Sequence, residues 1–235
     1  MSARFADRPT WISGMALALA AALLLGVVLP LHRQNTKPTR VSLEEHPWLL
    51  PPTGVFRVAS LGYRNVAADI LWLATIQYFG THLQSDGRYP ELRRLLDTVV
   101  ALDPHFVEAY TLGGLILMYF ARDVQAGIDL LERGAQNNPD RWEIPYDLAR
   151  TYYLDLKDYP KALHWFEVAD KLPGRPTHVP RFIARLYAAT GERETALELW
   201  RAVAESATNE WIRQLAAREI AKLEAANREP HPGAR

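Results

Sequence analysis

The sequence predicts an all-α protein in which an N-terminal transmembrane helix is followed by a right-handed solenoid of about four helix pairs and a capping helix. Three observations lead to this fold class: a charge-free apolar run near the N-terminus, a 34–35-residue recurrence over most of the remaining chain, and one amphipathic stretch after the last recurrence. They divide the chain into a short N-terminal tail (1–10), a transmembrane helix (11–31), a Pro-rich linker (32–66), helical repeats (67–208), a C-terminal capping helix (209–226) and a flexible tail (227–235).

The composition limits the class of protein before any motif is considered. The 235 residues include 27 Lys plus Arg and 27 Asp plus Glu, so the formal charge is balanced. A balanced chain lacks the basic footprint of a nucleic-acid-binding protein. With 49% apolar residues it is too hydrophobic to be disordered. It contains no cysteine, which excludes disulfides, thiolate metal ligands and thiol nucleophiles.

The apolar run covers residues 11–31 and reads WISGMALALAAALLLGVVLPL. As a helix it would extend about 31 Å, close to the thickness of the bilayer's hydrocarbon core. Trp11 stands where an interfacial aromatic anchors a span, and Arg33, Lys37 and Arg40 follow on the other side. The sequence therefore predicts a single-pass membrane protein anchored through Trp11–Leu31.

A cleaved signal peptide is the alternative, with Arg4 and Arg8 as its basic region. The run ends at Leu31 without a small-residue cleavage site after it, which favours an uncleaved anchor. Basic residues flank both ends, so the positive-inside rule decides the orientation only weakly. Because a short tail before a single span most often stays inside, we expect a bacterial inner-membrane protein with its repeat domain outside the cytoplasm.

The linker over residues 32–66 contains four prolines, so no long helix runs through it. From residue 48 onward it carries several large apolar residues, among them Trp48, Leu49, Leu50, Val55, Phe56 and Val58. These are too apolar for a solvated tether. Either they pack on the first helices of the body or they lie at the membrane surface, and the sequence leaves both possibilities open.

A repeat follows the linker. Two sets of positions recur at 34–35-residue intervals and are occupied by small residues except at Leu92, and bulky residues follow the second set by four positions. The first set is Gly80, Gly114, Ala149 and Ala184; the second is Leu92, Gly127, Ala162 and Ala196; the bulky set is Leu96, Leu131, Phe166 and Trp200. A small residue lets two antiparallel helices cross closely, and the residue four positions on fills the same face one turn later. One such pair cannot bury its apolar face alone, so pairs stack.

These residues resemble the tetratricopeptide repeat (TPR) family. The clearest copies are LARTYYLDLKDYPKALHWFEVADKLP, from Leu148 to Pro173, and IARLYAATGERETALELWRAV, from Ile183 to Val203. The resemblance covers about residues 67–206. The stretch NEWIRQLAAREIAKLEAA after it is amphipathic with a charged outer face, as suits the cap of a solenoid.

The segment Ala59–Gly80 has a helical apolar stripe of its own, at Ala68, Leu71, Thr75 and neighbouring positions. It is either the first repeat helix, covered by the linker, or a docking helix for a membrane partner.

Catalytic constellations are absent from the sequence. There is no glycine-rich phosphate loop, no His-Glu-x-x-His zinc motif and no Gly-x-Ser-x-Gly elbow. His105 and Glu108 form a surface i,i+3 pair, which by itself is not a metal site. We therefore expect no enzyme activity, no cofactor and no metal.

The resemblance implies a binding function instead. In the family, the first helix of each pair lines a concave groove that takes an extended peptide or a partner's helix. Carried over by position, the groove comprises Gln77, Thr81, Gln84, Thr111, Met118, Tyr119, Tyr146, Arg150, Tyr153, Arg181 and Arg185. Its three arginines suit an acidic or C-terminal carboxylate segment of a protein partner. The alternative is that they pair with local acids or face solvent.

The expected function is a membrane-tethered scaffold or assembly factor for protein–protein interaction. The alternative is a permanent accessory subunit of a bacterial membrane protein complex, which would expose larger apolar patches.

Overall fold

The computed structural model describes residues 62–228, together with Gly54 and Ser60. Within that range the chain forms nine α-helices and no strand, which confirms the all-α fold class. The helices are α1 (Arg64–Leu83), α2 (Leu92–Leu102), α3 (Val107–Tyr119), α4 (Val124–Asn137), α5 (Glu143–Thr151), α6 (Tyr159–Asp170), α7 (Val179–Thr190), α8 (Arg193–Ser206) and α9 (Glu210–Arg228). One π-helical turn, Tyr152–Leu156, extends α5.

The chain divides into two compact units, residues 1–49 and 50–235. The first unit lies outside the described residues, and with it the predicted tail 1–10 and transmembrane helix 11–31. The predicted C-terminal tail is described only as far as Arg228. Among the helices that are described, none is long and apolar enough to cross a membrane.

Each described helix packs on the next one along the chain, so α1 contacts α2, α2 contacts α3, and so on to α8 and α9. α3 also contacts α5, which brings successive first helices side by side. α1 begins at Arg64 and α9 ends at Arg228, whereas the sequence placed the start of the repeats at residue 67 and the end of the cap at 226.

Local hydrogen bonds recur with the period of the sequence. Asp123 and Asp158, 35 residues apart, each cap a helix by accepting from the backbone N–H three residues on, at 3.0 and 3.2 Å. The Tyr152 hydroxyl donates to Glu132, and the Tyr187 hydroxyl, one repeat later, donates to Glu167. That second bond is the main cause that raises the pKa of Tyr187 to about 12. The same interactions therefore join the helices of successive pairs.

The small recurring residues lie where helices cross. Ala149, Ala162, Ala184 and Ala196 are completely buried. At Gly127 a Cβ atom would lie 2.8 Å from the carbonyl oxygen of Gly114 and 2.3 Å from Met118 Cγ, so α3 and α4 approach too closely for any side chain there. Gly80 departs from the expectation, because a Cβ atom added to it would meet nothing within 4 Å.

Candidate functional site

The third pair and the first helix of the fourth carry a cluster of aromatic rings around Phe182 on α7. Its ring stacks on Phe166 with centroids 5.1 Å apart and planes within 2° of parallel. Tyr153 lies 5.7 Å from it and His178 5.8 Å from it, both edge-on. Offset and edge-to-face contacts of this kind stabilise aromatic pairs by about 0.5–1.5 kcal/mol each. The cluster thus forms an aromatic base that joins α6 and the π-helical turn after α5 to α7.

Tyr146 extends this base through a polar contact. Its hydroxyl and the Nε2 of His178 share a hydrogen bond of 2.9 Å between α5 and the start of α7. Burial lowers the pKa of His178, and the nearby Arg181 guanidinium lowers it further. Burial also raises the pKa of Tyr146. Both groups are therefore held neutral near pH 7, and they bridge two successive repeat units.

Arg150 does not stand free, since its guanidinium lies 3.4 Å from the Asp147 carboxylate one turn earlier on α5. Its Nε atom is buried without a hydrogen-bond partner among the described residues. Burial raises the pKa of Asp147 to about 6, against the opposing attraction of Arg150. Of the two possibilities left open for the arginines, pairing with a local acid therefore holds at Arg150, whose charge is offset by an acid of its own helix.

Arg181 and Arg185 lie on α7 without an ion pair among the described residues, and Arg185 is exposed. The Arg181 guanidinium lies 5.9 Å from the ring centroid of Trp211, within the range of a cation–π contact. Trp211, in the first turn of α9, is 60% exposed. An exposed arginine, a half-buried arginine and an exposed indole thus lie next to the aromatic base, and neither arginine has an ion pair among the described residues.

The second unit contributes Tyr119, at the C-terminal end of α3. Its hydroxyl donates to Asp155 Oδ2 at 2.7 Å, and the side chain remains 47% exposed. Burial raises the pKa of Tyr119, and the bond to Asp155 adds to the effect. Thr111 is half-buried and donates to the carbonyl oxygen of Val107 in its own helix.

Met118 differs from the groove prediction because it is buried, only 6% exposed. Its side chain fills the space that the missing side chain of Gly127 leaves, and Thr151 donates a hydrogen bond to its sulfur at 3.7 Å. It therefore contributes to packing between α3, α4 and α5 and not to an open surface.

The three predicted groove residues of the first unit, Gln77, Thr81 and Gln84, are exposed on or just after α1. Gln77 follows the exposed apolar residues Ile70 and Leu73 on the outer face of that helix. The structure thus joins two predicted residues of the third unit, Tyr146 and Tyr153, to His178 and Phe182 of the fourth.

Phe182, His178 and Trp211 are site residues that the sequence reasoning missed. A signal was present for two of them. His178 and Phe182 lie seven and three residues before the predicted groove residue Arg185. Their closeness in sequence to Arg185, at the start of α7 and within it, was the signal. Trp211 could not be placed from the sequence because its contact with Arg181 joins two helices.

Comparisons with known proteins assign no family. No protein-family model matches the chain, and no curated protein matches it either. Several solved structures match, among them one described as MamA AMB-1, which is 22% identical and matches 68% of this chain and 95% of its own. The TM-score of that match is 0.43, and at this level the likeness carries no argument about fold or function.

Proposed function

We propose that this chain is a membrane-tethered protein–protein interaction scaffold or assembly factor. Its helix pairs form a right-handed TPR-type solenoid, and the concave surface of that solenoid binds a segment of a partner protein. The tether is the apolar run 11–31, so the proposal places the binding surface near a bilayer, outside the cytoplasm.

The observation that carries the proposal is the pair of open cations beside an exposed indole. Arg185 is exposed, Arg181 lies over the ring of Trp211, and neither arginine has an acidic partner among the described residues. Half of the arginines in the described part of the chain form an ion pair with an acid, as Arg150, Arg175 and Arg201 do. Two neighbouring arginines without one are suited to bind a carboxylate from elsewhere.

The aromatic base supplies the apolar part of the same surface. Tyrosine, tryptophan and arginine are the residues that most often dominate binding energy at interfaces. Tyr146 and Tyr153 are held in place by His178 and Phe182, so a partner segment would meet side chains that lose little conformational freedom on binding. The preferred ligand is therefore an acidic or C-terminal segment that also carries an apolar side chain.

A permanent accessory subunit of a bacterial membrane complex is the second candidate, and one observation favours it. α1 exposes the large apolar residues Val66, Ile70 and Leu73 on one face. A permanent subunit would cover such a face with a neighbouring chain, and its partners would stay bound at high salt.

Affinity capture from a detergent extract tests the proposal, with partners identified by mass spectrometry. The double variant Arg181→Glu, Arg185→Glu should retain about 30-fold less of the partner, the factor for a loss of about 2 kcal/mol. Arg218→Glu, an exposed arginine on α9, is the matched control and should capture as the wild type does. Equal capture by the double variant would place the binding surface elsewhere. Partners retained at high salt by every variant would favour the permanent subunit.

A further inference from the structure

A left-handed residue recurs where the first helix of each pair ends. Gly87, Arg122, Lys157 and Gly191 occupy equivalent positions of the four pairs and have φ of +66°, +58°, +56° and +96°. Many helices end in a residue of this conformation, and it is usually glycine because a side chain is strained there. The second and third turns therefore keep a basic residue where the first and fourth have glycine.

Hydrogen bonds hold the second and third turns in the same conformation. The N–H of Asp123 donates to the carbonyl oxygen of Leu117, and the N–H of Asp158 donates to that of Tyr152, both at 2.9 Å. Each bond reaches back six residues and encloses the left-handed residue, as in the Schellman motif of helix ends. The two basic residues are therefore fixed, and exposed, at equivalent places in neighbouring pairs.

Large apolar side chains gather at the same turns. Among the described residues twelve of them are exposed, and half of these lie between the end of a first helix and the start of its second helix: Leu83, Tyr119, Phe120, Leu154, Leu156 and Tyr159. The second and third turns are neighbours, because the Tyr119 hydroxyl donates to Asp155 at 2.7 Å. The term turn patch is used below for six residues of these two turns: Phe120, Arg122, Leu154, Leu156, Lys157 and Tyr159.

The two cations of the turn patch have no ion pair among the described residues, whereas the nearby acids are engaged. Asp123 and Asp158 accept from backbone N–H groups at the starts of α4 and α6. Asp155 accepts from the Tyr119 hydroxyl, and Asp158 also pairs with Lys161 at 3.5 Å. The turn patch thus presents open positive charge among exposed apolar side chains.

This composition fits a lipid surface better than a protein partner. A specific interface between proteins uses about 20–30 residues a side, whereas the turn patch offers few. On a bilayer each apolar side chain contributes separately by entering the interfacial region, and each cation pairs with a lipid phosphate. Tyrosine is enriched at this depth, and the long stems of lysine and arginine lie along apolar groups while their charges reach the phosphates.

We propose that the turn patch binds the phospholipid surface of a bilayer. Its four apolar side chains lie among the headgroups, and Arg122 and Lys157 bind lipid phosphates. This explains why two turns keep a strained basic residue in place of glycine. The inference does not depend on the proposed partner-binding surface, which lies on other elements, and it does not require residues 11–31 to cross the bilayer.

Fluorescence quenching tests the proposal in the 235-residue chain, which has no cysteine of its own. Leu156→Cys is labelled with bimane, and the chain is incorporated into vesicles of phosphatidylethanolamine and phosphatidylglycerol that contain a nitroxide-labelled lipid. The lipid should quench this label strongly. Gln136→Cys is the matched control, because Gln136 is exposed near the other end of α4, about 18 Å along that helix from the turn patch. The label there should be quenched weakly.

Removing the two cations should weaken the contact at Leu156. Arg122→Gln, Lys157→Gln should lower the ratio of bound to unbound turn patch about fivefold for each residue, the factor for about 1 kcal/mol. Arg64→Gln, Lys171→Gln is the control, since it removes two cations at the start of α1 and after α6, away from the turns, and it should leave the quenching unchanged. Arg122→Gly, Lys157→Gly should also weaken the contact but keep or raise the melting temperature, because glycine adopts the left-handed conformation freely.

Flotation of the same vesicles separates this proposal from the membrane tether. Equal quenching at Leu156 and Gln136 in a chain that floats would contradict the binding of lipid by the turn patch and leave the tether intact. A chain that does not float would contradict both. Shielding of the Leu156 label from iodide by a captured partner protein, and not by vesicles, would mean that a protein covers the turn patch and would also overturn the proposal.

Discussion

The first and second helix pairs share one repeat pattern but differ in how closely their helices approach. Gly80 on α1 and Gly114 on α3 occupy equivalent positions, 34 residues apart. A Cβ atom on Gly114 would lie 3.0 Å from Leu131 Cγ, whereas one on Gly80 would meet nothing within 4 Å. Packing in the second pair thus requires a glycine at this position. In the first pair there is room for a larger side chain.

The outer surfaces of the two pairs differ in the same sense. α3 has a neighbour on each side, α2 and α5, and Tyr110 and Leu117 are buried between helices. α1 packs on α2 and exposes Val66, Ile70 and Leu73 on its other side. A terminal repeat usually ends in a polar outer face, as α9 does with Arg213, Gln214 and Arg218. Within the described residues, the first pair therefore leaves an apolar face exposed, whereas the first helix of the second pair has packed neighbours on both sides.

The largest effect on stability is expected from a larger side chain between the closely packed helices of the second pair. Gly127→Val should destabilise the protein by about 3 kcal/mol, because its side chain must displace Met118 and separate α3 from α4. The melting temperature from circular dichroism, with urea unfolding for the free energy, measures the effect. A near-neutral Gly127→Val would mean that α3 and α4 are not in close contact.

Smaller losses are expected at the alanine crossings of the third and fourth pairs. Ala162→Leu and Ala196→Leu should each cost about 1–3 kcal/mol, because both sites are fully buried. Ala101→Leu, at an exposed position of α2, is the control and should change stability by less than about 0.5 kcal/mol. Neutral behaviour at both buried sites would show that the repeat register is wrong.

The raised pKa of Asp147, in the third pair, predicts that the free energy of unfolding depends on pH. Its pKa is about 6 in the folded protein and 3.8 as the ordinary value, so the folded state binds more protons between these two pH values. Stability relative to Asp147→Asn should therefore fall as pH rises from about 4 to about 6, by about 1–2 kcal/mol, and then level off. The comparison with Asp147→Asn cancels His178, whose lowered pKa acts in the opposite direction because its stabilisation is lost as pH falls. A flat difference would mean that the Asp147 carboxyl is solvated.

The smallest effect has the opposite sign and belongs to the first pair. Gly80→Ala should stabilise the protein by about 0.5–1 kcal/mol, since alanine is the better helix former and nothing lies near the new methyl group. Gly114→Ala, its equivalent in α3, should be neutral or destabilising because Leu131 must move. Equal changes in stability at the two glycines would mean that the helices of the two pairs are packed equally closely at these positions.

The helical fold could be predicted from the sequence because the recurrence reports a repeated steric requirement at the helix crossings. Single side chains were harder to place. Met118 stood at a groove position, but the missing side chain of Gly127 leaves a space on α4 that draws it inward. The spacing of Asp147 and Arg150 was a visible i,i+3 signal for their ion pair. The approach of Trp211 to Arg181 depends on how α9 follows α8, and no local pattern reports that angle.

Hydrogen–deuterium exchange on the captured complex tests the central claim most directly, namely that the partner binds the surface formed by α5, α7 and the start of α9. Exchange is compared between the free chain and the partner-bound chain, peptide by peptide. The account predicts that protection on binding concentrates in residues 178–190 and 210–215 and extends to 146–153. Protection confined to residues 64–83, with none on α7, would contradict it.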